Sequence, residues 1–418
     1  MTLVRTSLLN AIAVLIRLLC LLGINKLLAL YVGPAGYAVV GQFQNISQMV
    51  QMFASGAVST GVTKYTAEYY DNGNLREKVW KTASFISIVG SLVISTGLLF
   101  FSKYLSILIF KDEQLQFVLV WLSVGIPFFV ANNLILSILN GRKDVQRYVL
   151  ANISGSVFAL VVTGFLSYKF KLHGALVALS IFQSISFFVT FFVCREADWF
   201  KFRFLIGRYD FPSLKKLGNY SLMALTTAIV TPLSFIFIRN TLNSEIGANA
   251  AGYWEAMSRL SSAYLLFITS TLAVYYLPRL SELSCEKAIQ KEIFTGYKLV
   301  IPVSICITLV IYFCRDLIIN LLFSADFLPT RDLFFWQLIG DNLKIGSWML
   351  SYVVLGRAMT KIYLVGEVLF SLTLCLFTSH LVKTMGIEGA TIAYALNYSC
   401  YWIFMAYVSR KYIFVKLG

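Results

Sequence analysis

Residues 331–363 hold the pattern that decides the fold, and they read RDLFFWQLIGDNLKIGSWMLSYVVLGRAMTKIY. The middle of this stretch is long and apolar enough to cross a bilayer as a helix of about 20 residues. Asp341 and Lys344 nevertheless lie near its centre. Because a charged side chain at mid-membrane costs roughly 2.5–3.5 kcal/mol on insertion scales, these two residues indicate a working site inside a membrane-spanning helix.

The composition of the whole chain is typical of an integral membrane protein. Of its 418 residues, 58% are hydrophobic and 13% are charged, whereas soluble domains carry about 25% charged residues. Apolar runs of spanning length recur along the chain, and they are too long and too continuously apolar for barrel strands. We therefore predict an all-α polytopic membrane protein with twelve transmembrane helices. The runs lie at about 8–31, 37–61, 82–101, 116–139, 148–168, 174–194, 217–239, 252–278, 298–321, 332–355, 361–381 and 388–408.

Several catalytic classes lack their sequence signals. The predicted loops are too short for a soluble catalytic domain, and the sequence has no glycine-rich phosphate loop. The seven cysteines form no CxxC pair, and the two histidines stand apart, so we predict no metal site and no cofactor. The first apolar run is too long for a cleaved signal peptide and contains Arg17 and Lys26.

Basic residues predict the orientation in the membrane. Most of the 35 lysines and arginines fall in loops on one side of the predicted helices, and Arg239 is among the few assigned to the other side. Since cytoplasmic loops are enriched in Lys and Arg, both termini are predicted to be cytoplasmic. Four cations fall inside apolar runs instead, namely Arg17, Lys26, Arg259 and Lys344.

The two halves of the chain repeat the same pattern. Each half has six predicted helices, and an even number gives both halves the same orientation, related by a pseudo-two-fold axis along the membrane normal. We predict an N-lobe at 1–194, a cytoplasmic linker at 195–216 and a C-lobe at 217–418, with a substrate cavity between the lobes. Matching dipeptides 215 residues apart are Gly141-Arg142 with Gly356-Arg357, and Gly174-Ala175 with Gly389-Ala390.

The repeat separates charges that the scaffold needs from charges that it does not. Charged residues of the second half fall on apolar residues of the first: Asp341 on Ile126, Lys344 on Phe129, Glu255 on Val39 and Arg259 on Phe43. Because the same scaffold positions are apolar in the first half, the charges of the second half are interpreted as functional.

Helical spacing leaves a local alternative open for some of these groups. Residues three and four apart are neighbours on a helix, so Glu255 with Arg259, and Asp341 with Lys344, could form self-neutralising ion pairs. Lys26 could extend to the membrane interface.

A glutamine stripe in the second predicted helix has two interpretations. Gln44 and Gln48 share a helix face, where amides suit either contacts with sugars or hydrogen bonds between helices. Cations in a pocket of low dielectric attract anions, and arginine matches phosphate oxygens. The sequence thus predicts a transporter whose cavity favours an anion, with Arg17, Lys26, Arg259 and Lys344 as its cations.

Four blocks of sequence resemble a known family. LLALYVGPAGYAVVGQFQNI, GVTKYTAEYYDN, YLPRLSEL and residues 331–363 resemble the Wzx-type O-antigen and lipid III flippases, the polysaccharide transporter family of the multidrug/oligosaccharidyl-lipid/polysaccharide exporter superfamily. The resemblance implies two lobes of six helices, and diphosphate contacts at Arg17, Lys26, Asp341 and Lys344. It also implies a location in the bacterial inner membrane.

The activity that this resemblance implies is a flippase in lipopolysaccharide biosynthesis. Its substrate is an undecaprenyl-diphosphate-linked oligosaccharide, either an O-antigen unit or the lipid III of enterobacterial common antigen, which moves from the cytoplasmic to the periplasmic leaflet. The resemblance further implies a glycan polymerase and a chain-length regulator as partners. Glu255, Asp341 and Glu367 are the candidate acids for coupling transport to an ion gradient.

Two other functions compete with this interpretation. A multidrug or cation antiporter of the same superfamily would favour acidic residues in its cavity, whereas cations predominate inside the membrane here. A membrane-bound glycan ligase or polymerase would carry a long outer loop with paired catalytic acids, and the predicted outer loops are too short for one.

Overall fold

The structure is a computed structural model that describes residues 3–272, 276, 279–280, 283, 285–357 and 359–413. Every regular element within these residues is helical, which confirms the all-α fold class. The helices are Leu3–Ala54 (α1), Ser59–Glu68 (α2), Gly73–Phe110 (α3), Gln116–Gly141 (α4), Val145–Cys194 (α5), Phe202–Leu205 (α6), Phe211–Glu245 (α7), Ala248–Thr271 (α8), Glu286–Phe313 (α9), Arg315–Leu322 (α10), Phe334–Gly356 (α11), Thr360–Met385 (α12), Glu388–Val408 (α13) and Arg410–Ile413 (α14), with 3-10 turns at Glu113–Leu115 and Ala325–Leu333.

Apolar side chains cover the outside of the long helices. Phe100 of α3, Phe313 of α9 and Ile403 of α13 are 79%, 77% and 72% exposed. Large exposed apolar surfaces are unusual on a soluble monomer but are expected against lipid. Six helices in the described part of the chain are long and apolar enough to cross a membrane. These features confirm a multi-pass membrane protein, while the total of twelve spans stays a prediction.

Two of the longest helices each combine two predicted spans across a kink. In α1 the backbone of Gly33 adopts φ 69°, and Pro34 follows it. In α5 the kink lies at Lys171, with φ 49°. The predicted run at 252–278 corresponds to α8, and its last residues, 273–275 and 277–278, lie outside the described residues, as does part of the YLPRLSEL block.

Contacts within the chain define two compact units. Unit 1 comprises Met1–Val32 and Val39–Pro232, and unit 2 comprises Gly33–Ala38 and Leu233–Gly418. The division therefore falls inside α7, whereas the lobe boundaries predicted from the sequence, at 194 and 217, stay a prediction together with the pseudo-two-fold axis.

Each unit is built around one central helix. In unit 1, α4 packs against α2, α3 and α5. In unit 2, α11 packs against α8, α9, α12 and α13. These central helices end at Gly141 and Gly356, which the sequence repeat pairs. The helix that carries Asp341 and Lys344 is thus the core of its unit, and its buried face must be satisfied by the helices around it.

Backbone geometry supports the internal repeat. Lys171, with φ 49° and ψ −128°, turns the chain before one tight helix contact, and Gly386, with φ 65° and ψ −145°, turns it before another. A Cβ atom added to Gly174 would lie 1.9 Å from the carbonyl oxygen of Leu166. A Cβ atom added to Gly389 would lie 2.2 Å from the carbonyl oxygen of Leu381. Lys171 and Gly386 are 215 residues apart, and so are Gly174 and Gly389. Both units therefore use a glycine at the same backbone crossing.

Substitution of either glycine tests this shared crossing. We expect Gly174→Ala and Gly389→Ala each to lower the free energy of unfolding by about 1–3 kcal/mol, the usual effect of overpacking, because the neighbouring backbone cannot rotate away. Thermal unfolding of the purified protein in detergent measures the change. Gly97→Ala is the matched control, since a Cβ atom there meets nothing within 4 Å. Equal melting temperatures for all three variants would contradict the assignment.

Candidate functional site

The carboxylate of Asp341 is held by hydroxyl groups from two neighbouring helices. Asp341 is 0% exposed on α11. Its oxygens accept hydrogen bonds from Ser261 Oγ of α8 at 2.7 and 2.8 Å and from the Tyr394 hydroxyl of α13 at 2.8 Å. The Tyr264 hydroxyl of α8 donates to the same carboxylate. Because a buried charge is tolerated when polar groups surround it, these donors let Asp341 remain inside unit 2.

Lys344 lies one turn further along α11, and its ammonium group contacts aromatic rings. The Nζ atom lies 4.9 Å from the ring centroid of Trp348, 5.0 Å from that of Tyr398 and 5.4 Å from that of Tyr394. Cation–π contacts at these distances are worth about 0.5–2 kcal/mol each, most when desolvated. Three such contacts stabilise the ammonium without neutralising it.

Asp341 and Lys344 do not contact each other directly, but both contact Tyr394. No ion pair within 4.0 Å joins these two described residues, so the self-neutralising pair that spacing allowed does not form here. Instead, Tyr394 donates its hydroxyl to Asp341 and presents its ring to Lys344. Glu367 of α12 also attracts the Lys344 charge electrostatically. The ammonium group of Lys344 is thus surrounded by aromatic rings, and its N–H groups can still donate hydrogen bonds to a ligand.

A second charged cluster in unit 2 surrounds Glu255. Its carboxylate lies 2.7 Å from Arg259 Nε and 3.0 Å from Arg239 Nε. The guanidinium of Arg259 also stacks over the Tyr37 ring, 4.6 Å from its centroid. The spacing-based alternative of a Glu255–Arg259 pair is therefore realised, with a second arginine added. One carboxylate facing two guanidinium groups leaves a net positive charge in this cluster.

Arg239 corrects the sequence-based assignment of this residue to an outer loop. The apolar run was predicted to end at 239, but α7 continues to Glu245. Arg239 therefore lies more than one turn inside the helix and is 3% exposed. The polar residues that follow it were interpreted as a loop because they are not apolar, although nothing among them breaks a helix. A buried partner at Glu255 explains why the helix can hold a cation there.

Four predicted cavity residues belong to unit 1. Arg17 and Gln48 of α1 have exposed side chains, and Lys26 and Gln44 of the same helix are half-buried. Their predicted roles in binding diphosphate and sugar stay predictions.

The aromatic and hydroxyl residues around Asp341 and Lys344 were missed by sequence reasoning. Trp348 lies four residues after Lys344, so helical spacing could have identified it. Ser261, Tyr264, Tyr394 and Tyr398 come from other helices, and spacing within α11 carries no information about them.

The sequence of this chain is similar to those of known proteins over most of its length. Residues 3–284 match the family model described as "Polysaccharide biosynthesis protein". The lipid III flippase of Escherichia coli (strain K12) is 30% identical over 404 residues, covering 96% of this chain and 97% of the relative.

Solved structures of the same fold belong to transporters. A multidrug resistance MATE family transporter of the MOP superfamily, in an inward-facing conformation, aligns with a TM-score of 0.79 at 16% identity over 95% of this chain and 94% of its own. The lipid II flippase MurJ, in an inward closed conformation, aligns with a TM-score of 0.71 at 17% identity over 97% and 87%. These two structural similarities establish the fold. The sequence matches, which extend over most of the chain, establish that the chain belongs to the polysaccharide biosynthesis protein family.

Proposed function

We propose that this chain is a flippase that moves an undecaprenyl-diphosphate-linked oligosaccharide from the cytoplasmic to the periplasmic leaflet of the bacterial inner membrane. The observation that carries the proposal is Lys344, whose ammonium group contacts three aromatic rings and forms no ion pair within 4.0 Å with a carboxylate of the described residues. The relative named lipid III flippase, matched over 97% of its length, supports the same substrate class. The oligosaccharide is an O-antigen unit or lipid III.

The chemistry of Lys344 suits a phosphate that arrives and leaves. An ammonium group can donate three hydrogen bonds, and charge-assisted bonds to phosphate are stronger than neutral ones. Aromatic rings stabilise the charge while the site is empty, yet they do not compete with a phosphate as a carboxylate would. Arg17 and Lys26 are proposed as further diphosphate contacts, and Gln44 and Gln48 as sugar contacts.

Arg259 is proposed as a cation of the cavity that acts through its cluster. Its Nε atom contacts Glu255, and the face of its guanidinium lies over the Tyr37 ring, so these two residues fix its position. Glu255, Asp341 and Glu367 are the proposed coupling acids. Among them, Asp341 is surrounded by hydroxyl donors that would reorganise if it gained a proton.

Transport is proposed to follow alternating access, with no covalent bond made or broken. The headgroup enters the cavity from the cytoplasm, the lipid tail stays in the bilayer, and the cavity then opens to the periplasm. A ligand shifts such an equilibrium only if it binds the two states differently. Both termini are proposed to be cytoplasmic, and a glycan polymerase and a chain-length regulator are the proposed partners that use the product.

Deletion of the gene tests this function. We expect the lipid-linked oligosaccharide to accumulate in the cytoplasmic leaflet and surface glycan to disappear, and both changes to reverse when the wild-type chain is supplied. Accumulation is measured by extraction of the lipids, and the leaflet by a membrane-impermeant glycosidase added to intact spheroplasts. Normal surface glycan together with increased sensitivity to cationic drugs would instead favour the multidrug antiporter.

A further inference from the structure

A separate polar pocket lies within unit 1. It has a volume of about 290 Å³, and its lining includes Arg76, Glu77, Trp80, Arg142, Asp198 and Trp199. These residues come from the start of α3, the end of α4 and the segment after α5. None of them belongs to the residues proposed above to bind or couple the transported substrate. A pocket of this size is near the lower limit for small-molecule sites, which span about 300–1,000 Å³.

Within the described part of the chain, three buried N–H groups around this pocket have no hydrogen-bond acceptor. They are Arg76 Nε, Arg142 Nη1 and Trp199 Nε1. A buried donor without an acceptor destabilises the folded protein, and more so when the group is charged. Trp80 differs, because its Nε1 donates to Thr66 Oγ1 at 2.9 Å. The unsatisfied groups are all donors, so the ligand that would complete them is an acceptor.

Aromatic packing fixes both guanidinium groups at the lining of the pocket. Arg76 lies over the Trp80 ring, 5.2 Å from its centroid, and Arg142 lies over the Trp199 ring at 5.7 Å. The two indole rings meet edge to face at 5.8 Å. The Nη1 atom of Arg76 also donates to the Tyr70 carbonyl at 2.7 Å. Held in this way, neither arginine can relax into water without losing its stacking contact.

The electrostatic balance of the pocket is positive. Glu77 is already paired with Lys81 at 3.0 Å, and the side chain of Asp198 is exposed, where solvent screens its charge. Burial, and then the neighbouring charge of Arg76, lower the pKa of Arg142 below the ordinary value for arginine. Two guanidinium groups of like charge therefore face a pocket in which no carboxylate offsets them fully.

The repeat provides an internal comparison for Arg142. Its counterpart in unit 2 is Arg357, which also follows the glycine at the end of a central helix. Arg357 donates to the backbone carbonyl of Leu283 and lies over the Tyr412 ring at 5.6 Å. In unit 2 a backbone carbonyl accepts from the guanidinium group of Arg357, whereas in unit 1 the Nη1 group of Arg142 has no such acceptor. The open donors of unit 1 are therefore a local feature, and the scaffold does not require them.

We propose that this pocket of unit 1 binds a phosphate-type anion between Arg76 and Arg142, with Trp199 Nε1 as a third donor. Guanidinium groups are suited to phosphate because their planar N–H pairs match its oxygens. The ligand is either the headgroup of an anionic phospholipid or a water-soluble phosphate, since the same chemistry recognises both. The pocket contains none of the residues proposed above for transport, and this proposal does not rest on the proposed flippase activity.

Two binding arms distinguish the sources. The full-length protein is delipidated and placed in phosphatidylcholine nanodiscs. In one arm inorganic phosphate is titrated and binding is followed by calorimetry. In the other arm phosphatidylglycerol is added at increasing fractions, and bound lipid is counted by native mass spectrometry. We expect saturable binding in at least one arm, and the arm that saturates identifies the source.

Variants decide whether binding occurs at this pocket. We expect Arg142→Gln to weaken binding at least tenfold, and Trp199→Phe, which keeps the ring but removes one N–H, to weaken it about threefold or more. Lys201→Gln is the matched control, because it removes the same charge from an exposed position nearby. Trp199→Phe decides the outcome if Arg142→Gln does not fold. No saturation by the wild type in either arm would overturn the proposal, as would equal binding by Trp199→Phe, Lys201→Gln and the wild type.

Discussion

Replacement of Lys344 by methionine is expected to abolish export of surface glycan while the protein still inserts into the membrane. Methionine keeps most of the length of the side chain and its contact with Trp348, Tyr394 and Tyr398, but it removes the charge. Loss of one charge-assisted contact costs about 1.5–3 kcal/mol, which is roughly a tenfold to hundredfold loss of affinity. Because the matching position of the first half is Phe129, the scaffold is expected to accept an apolar residue here.

The measurement combines surface glycan with the amount of membrane-inserted protein. Lys361→Met is the matched control, since it removes the same group from an exposed position at the start of α12. Lys344→Arg should retain part of the export, because arginine restores the charge but not the geometry of the aromatic contacts. Full export by Lys344→Met at normal protein levels would show that this ammonium does not contact the substrate in any step that limits transport.

Spacing within one helix allowed the centre of the site to be predicted. Asp341 and Lys344 stand out because charge is rare in a spanning run, and Gln337 shares their face, with its Nε2 atom 3.4 Å from Asp341 Oδ1. Periodicity contains this information since a helix brings residues three and four apart together. It contains nothing about Tyr264 and Tyr394, whose hydroxyl groups come from α8 and α13. For that reason helical spacing left a direct Asp341–Lys344 pair open as an alternative, whereas the structure has hydroxyl donors and aromatic rings around these residues.

The repeat was visible in sequence because close backbone crossings require glycine. Gly174 and Gly389 are retained in both halves since no side chain fits beside the carbonyls of Leu166 and Leu381. Helix ends carried a weaker signal. The apolar run that ends at Arg239 is followed by polar residues, which composition alone does not distinguish from a loop. The structure shows that α7 continues through them to Glu245.

Replacement of Glu255 by leucine is expected to destabilise unit 2 strongly, because it leaves two buried guanidinium groups without their carboxylate. Arg239 is 3% exposed, and the Arg259 side chain is 13% exposed, so neither guanidinium can reach bulk water without rearrangement. Removing one partner of a buried ion pair costs about 3–5 kcal/mol because the other charge stays buried and uncompensated. Here a single carboxylate faces two guanidinium groups, which places the expected loss at the upper part of that range.

Thermal unfolding in detergent measures this loss of stability. A control variant and a double variant show whether it comes from the unpaired guanidinium groups. Glu245→Leu is the control, because Glu245 pairs with Lys383 at 3.7 Å on the surface, where such pairs contribute about 0–1 kcal/mol. The double variant Glu255→Leu/Arg239→Leu should recover part of the stability that Glu255→Leu alone loses, since it also removes one uncompensated charge and replaces it with apolar volume. If the double variant melts below the single variant, Arg239 stabilises unit 2 through its packing rather than its charge. If Glu255→Leu melts with the wild type, the guanidinium groups do not need this carboxylate, and the charged cluster is not what holds α7 against α8.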